Sequence, residues 1–250
     1  MGSSDAKREL TFLLAEPERR LLRKIAVRLP AWVTSDQLTA VGVLAATGAG
    51  VAYALSGLHA GWLWVASAML VLNWFGDSLD GTLARVRFAE RPRYGYYLDH
   101  IVDAFATAAI GIGLGLSPFV SLGVALGLVV VYLALSINVY LESAVFGAFR
   151  LGYGRLGPTE VRLILIAVNA GLALHGYIPG LGAMPIRVVA DTVFAAAGLA
   201  MLAMLTVRFT RNLRDLAQLE PPHPAPAKAV RSTARGPRYL EVDVARRSGS

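Results

Sequence analysis

The fold of this chain is decided by two acidic stretches, Asp77-Ser-Leu-Asp80-Gly81-Thr-Leu-Ala84-Arg85 and Gly95-Tyr-Tyr-Leu-Asp99-His-Ile-Val-Asp103. The aspartates are spaced i, i+3 in the first stretch and i, i+4 in the second, so each pair lies on one face of a helix. Both helices are otherwise apolar, and an unpaired charge is costly to bury there. Four facing carboxylates would repel one another, which indicates a divalent cation between them, since hard cations such as Mg²⁺ prefer carboxylate oxygen.

The composition is typical of an integral membrane protein. Of the 250 residues, 55% are hydrophobic and 16% are charged, and the mean hydropathy is +0.53. The absence of cysteine excludes disulfides and thiolate metal sites. We attribute the net charge of +7 to cytoplasmic loops and anionic lipid. No nucleic-acid partner is expected, because no base-stacking or groove-reading motif accompanies the charge.

Apolar stretches long enough to cross a bilayer, which takes about 20 residues, recur along the chain. We predict membrane-spanning helices near residues 38–57, 62–86, 94–116, 118–141, 160–179 and 185–208. The predicted fold class is an all-α membrane protein, with six transmembrane helices in a catalytic domain over 38–210. An amphipathic juxtamembrane arm, 1–37, precedes it as a cytoplasmic interfacial helix in which Pro17 splits or starts the helix; a solvated charged helix is the alternative. Residues 211–250 are predicted to be a basic, Pro-rich, disordered tail.

Basic residues are distributed unevenly over the predicted connections. The N-terminal arm, the 2–3 and 4–5 connections and the C-terminal exit are basic, whereas Arg187 is nearly alone on the opposite side. The positive-inside rule therefore places both termini in the cytoplasm. Asp77 and Asp80 then lie toward the cytoplasmic end of the second span, and Asp99 and Asp103 open the third span from the same side. All four carboxylates are expected to converge at the cytoplasmic face of a membrane, the cytoplasmic membrane if the protein is bacterial.

This arrangement suits a polyphosphate substrate. Two divalent ions held by several carboxylates can clamp a pyrophosphate and stabilise both the attacking and the leaving oxygen. A remaining carboxylate can accept the proton of an attacking hydroxyl. Gly81 leaves room for a nucleotide to approach the helix, and Arg85 suits a phosphate through paired hydrogen bonds. The alternative is that the aspartates form salt bridges with Arg85, Arg87 or Arg93.

The order of these residues resembles the signature of the CDP-alcohol phosphatidyltransferase family, which is Asp-x2-Asp-Gly-x2-Ala-Arg, a spacer, and Gly-x3-Asp-x3-Asp. Every fixed residue is present: Asp77, Asp80, Gly81, Ala84, Arg85, Gly95, Asp99 and Asp103. The spacer Val86–Tyr94 is one residue longer than the family's usual spacer, and it is a basic segment with Pro92 that a loop can absorb.

The resemblance implies a membrane enzyme that displaces CMP from a CDP-linked donor by attack of an alcohol hydroxyl, with two Mg²⁺ or Mn²⁺ ions. By position, Asp77, Asp80 and Asp99 are expected chiefly to bind metal. Asp103 is expected to be the general base and to contact a metal as well. The CDP moiety is expected at Gly81, Ala84 and Arg85. Because members of the family are often dimeric, a homodimer is a further expectation.

The donor that we expect is CDP-diacylglycerol, used with a small alcohol acceptor to make a new phospholipid head group. The family also contains enzymes that use CDP-choline or CDP-ethanolamine with diacylglycerol, so donor and acceptor could be reversed. A carboxylate-lined cation transporter is an alternative of another class, and it predicts acids near the bilayer midplane and broken helices in paired halves. A non-catalytic scaffold would not need the complete signature.

The candidate acceptor site lies around the 4–5 connection and comprises Glu142, Arg150, Arg155 and Arg162. The arginines suit a phosphorylated acceptor such as glycerol phosphate or inositol phosphate, whereas Glu142 suits an amino alcohol. The sequence leaves both open. In the same region, Gly157-Pro158-Thr159-Glu160 predicts a helix start with Thr159 as its N-cap.

The approach to the first span, Pro30-Ala-Trp-Val-Thr34-Ser-Asp36-Gln-Leu-Thr39, partly resembles the corresponding segment of the family, with Asp36 near the usual Asn. We predict that Ser35 or Asp36 caps this helix, and a contact with the nucleotide is the alternative.

The third span carries glycine at every second position, at Gly111, Gly113 and Gly115. This spacing predicts close packing against another helix, within the protomer or across a dimer. His100 follows Asp99 but faces about 100° away on a helix, so we predict a structural role for it.

Overall fold

A computed structural model describes residues 14–146, 157–175 and 186–221. Within these residues the chain forms seven helices and no strand: α1 (Ala15–Arg28), α2 (Ser35–Leu55), α3 (Trp62–Val86), α4 (Pro92–Leu116), α5 (Leu122–Phe146), α6 (Pro158–His175) and α7 (Ile186–Leu219). The all-helical class is therefore confirmed. Among the described helices, α2, α4, α5 and α7 are long and apolar enough to cross a membrane, as expected of a membrane protein. The charges of α3 and α6 lower their hydropathy.

The predicted spans agree best with the structure at α3 and α4, whereas the fourth span, predicted over 118–141, corresponds to α5 at Leu122–Phe146 because the turn after α4 is longer than expected. The second span coincides with α3, and the third begins two residues late relative to α4. Helix α7 has 34 residues and ends at Leu219, so it runs past the predicted span 185–208, and residues 211–219, predicted to be part of a disordered tail, are helical. Residues 209–219 contain leucines and polar helix formers without glycine or proline, so nothing stops the helix before Pro221.

The chain divides into two compact units after Asn212. The described part of the second unit, residues 213–221, comprises the last residues of α7 and two residues beyond it. The rest of the predicted tail, 222–250, lies outside the described residues.

Helix α1 is amphipathic and packs against α3. Its buried residues, Leu22 and Ala26, join a cluster with Leu79 and Leu83 of α3. Pro17 lies in the first turn, where a missing N–H removes no helical hydrogen bond. Of the two options predicted for Pro17, the structure has the helix start.

Helix α2 is the central element, because both α3 and α4 pack against it. These contacts bring backbones together at glycines. A Cβ on Gly113 of α4 would lie 2.2 Å from the carbonyl oxygen of Gly50, and one on Gly76 of α3 would lie 2.5 Å from that of Leu38. The predicted close packing of the glycines of α4 is confirmed, and for Gly113 the partner is α2 of the same protomer.

The start of α2 differs from the prediction. Thr34 is the N-cap: its Oγ1 accepts from the Gln37 backbone N–H at 3.2 Å, and the Gln37 side chain accepts from the Thr34 N–H at 2.9 Å. This reciprocal capping box leaves Ser35 and Asp36 inside the first turn, so the prediction that one of them is the cap was wrong. Asp36 instead forms an ion pair with Arg91.

The start of α6 also differs. The helix begins at Pro158, so Thr159 is a helical residue and not the predicted N-cap. Its Oγ1 donates to Glu18 Oε1 of α1 at 2.8 Å. Glu160 accepts from the backbone N–H of Gly157 and from that of Leu14, each at 2.9 Å. Glu18 and Glu160 therefore join the beginning of α6 to α1 and to Leu14, the residue before it.

Candidate active site

Three of the four signature aspartates meet between α3 and α4, the two helices that pack against α2. Asp77, Asp99 and Asp103 each offer a carboxylate oxygen, and these oxygens all lie within 4.8 Å of one another. All three side chains are partly buried. Helical spacing brings Asp99 and Asp103 onto one face of α4, and α2 positions that face relative to α3 because it packs against both helices. We call these three residues the carboxylate cluster.

Asp80, the fourth aspartate, is held beside the cluster by α2. Its Oδ2 accepts from Thr39 Oγ1 at 2.6 Å, and its Oδ1 accepts from the backbone N–H of Gly81. Ser35 Oγ of α2 also donates to the Asp80 carbonyl oxygen at 3.0 Å. Sequence reasoning missed Thr39, although a threonine one turn inside an apolar span is a signal that could have identified it.

Arg162 of α6 reaches the carboxylate cluster. It donates to Asp77 Oδ2 at 2.7 Å and to Asn73 Oδ1 at 3.0 Å, and the side chains of Arg162 and Asp77 are only 14% and 21% exposed. Asn73 in turn donates to the Gly42 carbonyl of α2 at 3.0 Å. One chain of hydrogen bonds thus joins α6, α3 and α2 and places a guanidinium at the cluster.

The arginines near the signature have other partners. Arg85 donates to Thr82 Oγ1 at 3.0 Å and lies along its own helix, where its Nη1 would be 3.4 Å from a Cβ on Gly81. Arg87 donates to backbone carbonyls of the α1–α2 loop. The salt bridge to Asp77 comes from Arg162, a residue that the alternative considered above, with Arg85, Arg87 or Arg93, did not include. On α3, Gly81 lies about one turn before the adjacent residues Ala84 and Arg85.

Glu142 lies in a separate polar cluster between α5 and α7. Its carboxylate accepts from Arg208 Nη2 at 2.7 Å, from Asn212 at 2.6 Å and from Asn138 at 2.7 Å. Only 10% of the Glu142 side chain is exposed. The sequence analysis did not identify these three partners. Together with Glu142 we call them the Glu142 cluster. Arg150 and Arg155, predicted to act with Glu142 and Arg162, lie outside the described residues.

His100 lies against aromatic rings, as expected of a structural residue. Its ring centroid is 4.0 Å from that of Tyr96 and 4.0 Å from that of Tyr140 of α5. The His100 Nδ1 lies 3.7 Å from Asp99 Oδ2, so His100 borders the carboxylate cluster, whose own ligand atoms are carboxylate oxygens. An all-carboxylate set partly shielded from water fits a hard divalent cation such as Mg²⁺ or Mn²⁺.

Comparison with known proteins identifies the family. The model of the CDP-alcohol phosphatidyltransferase family matches residues 32–208, which include α2 to α6 and most of α7. The chain belongs to this family. The resemblance seen in the signature is confirmed, and with it the enzyme class, a CDP-alcohol phosphatidyltransferase.

Similar proteins are found in bacteria and archaea. The chain is 39% identical over 88 residues to the phosphatidylinositol phosphate synthase of Cutibacterium acnes, a match that covers 35% of this chain and 40% of that protein. It is 30% identical over 159 residues to the archaetidylinositol phosphate synthase of Methanothermobacter thermautotrophicus, covering 63% and 76% respectively. The matched region therefore spans less than half of the first relative and about three quarters of the second.

The fold is similar to that of a solved structure. The crystal structure of the Mycobacterium tuberculosis phosphatidylinositol phosphate synthase (PgsA1) with CDP-DAG bound aligns with a TM-score of 0.55 and 22% identity. The alignment covers 76% of this chain and 92% of that one. At this identity the similarity concerns the fold.

Proposed function

We propose that this enzyme transfers the phosphatidyl group of CDP-diacylglycerol to a hydroxyl of a phosphorylated polyol of the inositol phosphate type. The hydroxyl oxygen forms a bond to the lipid-side phosphorus, the phosphoanhydride bond breaks, and CMP departs with the bonding electrons. The observation that carries the proposal is the convergence of Asp77, Asp99 and Asp103 within the family signature. The names of both relatives support the acceptor, and the ligand of the similar crystal structure supports the donor.

In this proposal the aspartates hold Mg²⁺ or Mn²⁺, with two ions shared among Asp77, Asp80, Asp99 and Asp103. When bound, the ions neutralise the pyrophosphate and stabilise the departing CMP. Asp103 accepts the proton of the attacking hydroxyl. Thr39 orients Asp80 through its 2.6 Å hydrogen bond, and the Asn73–Arg162 pair orients Asp77. Gly81, Ala84 and Arg85 bind the CDP moiety.

The acceptor phosphate is assigned to the arginines Arg162, Arg150 and Arg155. Arg162 supports this assignment because its guanidinium lies at the carboxylate cluster, within reach of a group that reacts there. Glu142 is surrounded by donors of its own, which favours a role in holding Arg208 and Asn212 in place over direct recognition of an amino alcohol. The acceptor site would then be cationic.

We further infer that α3 and α6 cross the membrane with the four apolar helices, giving six spans, and that α1 lies at the cytoplasmic interface. Salt bridges and hydrogen bonds satisfy the charged groups of these two helices, such as Arg162 with Asp77, which lowers the cost of their burial. The distribution of basic residues supports a cytoplasmic location for the site and both termini. A homodimer remains a prediction from the family resemblance.

The test is release of CMP by the purified protein from CDP-diacylglycerol, with an acceptor panel of inositol phosphate, glycerol phosphate, inositol and serine. We expect release with inositol phosphate that EDTA abolishes and Mg²⁺ or Mn²⁺ restores, with the lipid product identified by mass spectrometry. Turnover only with CDP-choline or CDP-ethanolamine and diacylglycerol would instead reverse donor and acceptor. Metal uptake into vesicles without CMP release would favour the transporter.

A further inference from the structure

One face of α1 carries cations that the fold does not use. Arg23, Lys24 and Arg28 are exposed, and no ion pair or hydrogen bond to their side chains occurs within residues 14–146, 157–175 and 186–221. With Val27 and with Arg20, which also pairs with Glu16 at 3.3 Å, they line an open hollow of about 450 Å³. These positions recur at three- and four-residue spacing, so the five side chains lie on one side of the helix.

The opposite side of α1 packs against α3, and this packing sets the direction in which the cationic face points. Leu22 and Ala26 pack against Leu79 and Leu83 of α3, so the cationic face points away from the helices. Leu79 is the residue before Asp80, which places α1 at the same end of α3 as the carboxylate cluster. That end is the cytoplasmic one in the orientation proposed above.

Two exposed aromatic residues lie in loops that meet at the end of α1. Trp32, in the loop after α1, is 74% exposed, and Phe88, in the loop after α3, is 94% exposed. Arg87 donates to the carbonyls of Leu29 and Pro30, which ties the two loops together. Exposing large aromatic side chains to water is unfavourable, whereas such side chains are enriched where a membrane protein meets the lipid head groups.

We propose that this surface, formed by Arg20, Arg23, Lys24, Val27, Arg28, Trp32 and Phe88, binds the head groups of anionic phospholipids in the surrounding cytoplasmic leaflet. The lipid phosphates neutralise the cations, and the aromatic rings lie among the head groups. The inference rests on the proposed interfacial location of α1 and goes beyond the proposed reaction, which needs one donor lipid at the site. Its consequence is a local enrichment of anionic lipid, the charge class of that donor.

The experiment titrates the purified full-length protein in non-ionic detergent with dioleoylphosphatidylglycerol or dioleoylphosphatidylcholine, counting bound lipids by native mass spectrometry without nucleotide or metal. We expect preferential binding of phosphatidylglycerol. Each of the variants R23Q, K24Q and R28Q should raise its Kd by about two- to fivefold, the scale of one basic residue near an anionic surface. Binding of phosphatidylcholine should not change.

The matched control is R19Q, which removes the same charge from the same helix. The guanidinium of Arg19 already pairs with Glu16 at 3.2 Å, so this variant should change the Kd by less than a factor of two. Raising the salt concentration should weaken the preference, because exposed charges are screened. Equal affinity of the wild type for both lipids, or an effect of R19Q as large as the others, would overturn the proposal. No turnover is measured, so failure of the proposed reaction would be seen separately in the CMP assay.

Discussion

The carboxylate cluster and the Glu142 cluster solve the problem of buried acid in different ways. At Glu142, one carboxylate receives hydrogen bonds from a guanidinium and two side-chain amides. In the carboxylate cluster, three carboxylates lie within 4.8 Å of one another, and the guanidinium of Arg162 bonds to Asp77. The first arrangement is complete within the protein, while the second gathers like charges that repel unless more positive charge arrives.

This difference distinguishes an acid that holds helices together from acids that are arranged to bind a cation. A buried charge with a full set of partners fixes helices to one another, and removing it harms folding more than chemistry. Like charges whose carboxylate oxygens lie within 4.8 Å of one another are a cost to folding that binding of a cation can offset. We therefore expect substitutions in the two clusters to affect different measurements.

The largest effect on turnover is expected for Asp103→Asn. Asparagine has a similar shape but cannot accept the proton of the attacking hydroxyl, so kcat should fall by about 10²- to 10⁴-fold. Donor binding, measured by isothermal titration with CDP-diacylglycerol in detergent, should be largely retained. Near-normal turnover would remove Asp103 from the role of base.

Glu142→Ala should affect stability instead. It leaves Arg208 buried without its carboxylate, and breaking a buried pair in this way costs about 3–5 kcal/mol. We expect a lower melting temperature in detergent, with kcat per folded molecule close to that of the wild type. A large loss of kcat without thermal destabilisation would place Glu142 in the reaction and contradict the contrast between the clusters.

The sequence predicted the elements of the carboxylate cluster well, because the signature lies in two adjacent helices and its spacing is read directly. It did not show which residues Thr39 and Asn73 contact, because these contacts join residues 41 and 31 positions apart through the packing of α2 on α3. The Glu142–Arg208 pair spans 66 positions. Such contacts depend on how helices pack, for which the local pattern carries little information.

The errors in predicting where helices begin and end arose from the residues at those ends. Thr34, Ser35 and Asp36 are all good capping residues, and only the geometry of the turn selects Thr34. At the start of α6, Pro158 suits the first helical position, which moved Thr159 into the helix. The length of α7 was underestimated because hydropathy reports where lipid ends, and a helix can continue beyond it.

A smaller effect, mainly on one substrate, is expected for Arg162→Gln. Loss of a charge-assisted hydrogen bond of about 1.5–3 kcal/mol should raise the KM for a phosphorylated acceptor by about 10- to 100-fold. Because Arg162 also orients Asp77, the KM for CDP-diacylglycerol should rise too, but by less than the KM for the acceptor. Arg85→Gln is the matched control, because it removes an arginine from the proposed donor side and should show the reverse pattern. Steady-state kinetics with each substrate varied in turn would refute the assignment if both variants behaved alike.

The smallest effect tests whether α2 tunes the metal ligands. Thr39→Val keeps the shape of the side chain but removes the hydroxyl that donates to Asp80 Oδ2 at 2.6 Å. Asp80 then loses an orienting partner, and partners of this kind contribute about tenfold or more to metal affinity. The Mg²⁺ concentration for half-maximal CMP release should rise by about three- to tenfold, while kcat at saturating Mg²⁺ should be nearly restored.

Two variants of the same helix make this prediction specific. Thr39→Ser retains a hydroxyl and should behave like the wild type. Thr47→Val removes a hydroxyl whose bond among the described residues lies within α2, to the Val43 carbonyl, and should leave the Mg²⁺ dependence unchanged. If Thr39→Val lowers kcat at every Mg²⁺ concentration and Thr39→Ser does not restore it, then Thr39 supports the packing of α2 on α3. In that case Asp80 is held for a structural reason, as Glu142 is, and not for binding a metal ion.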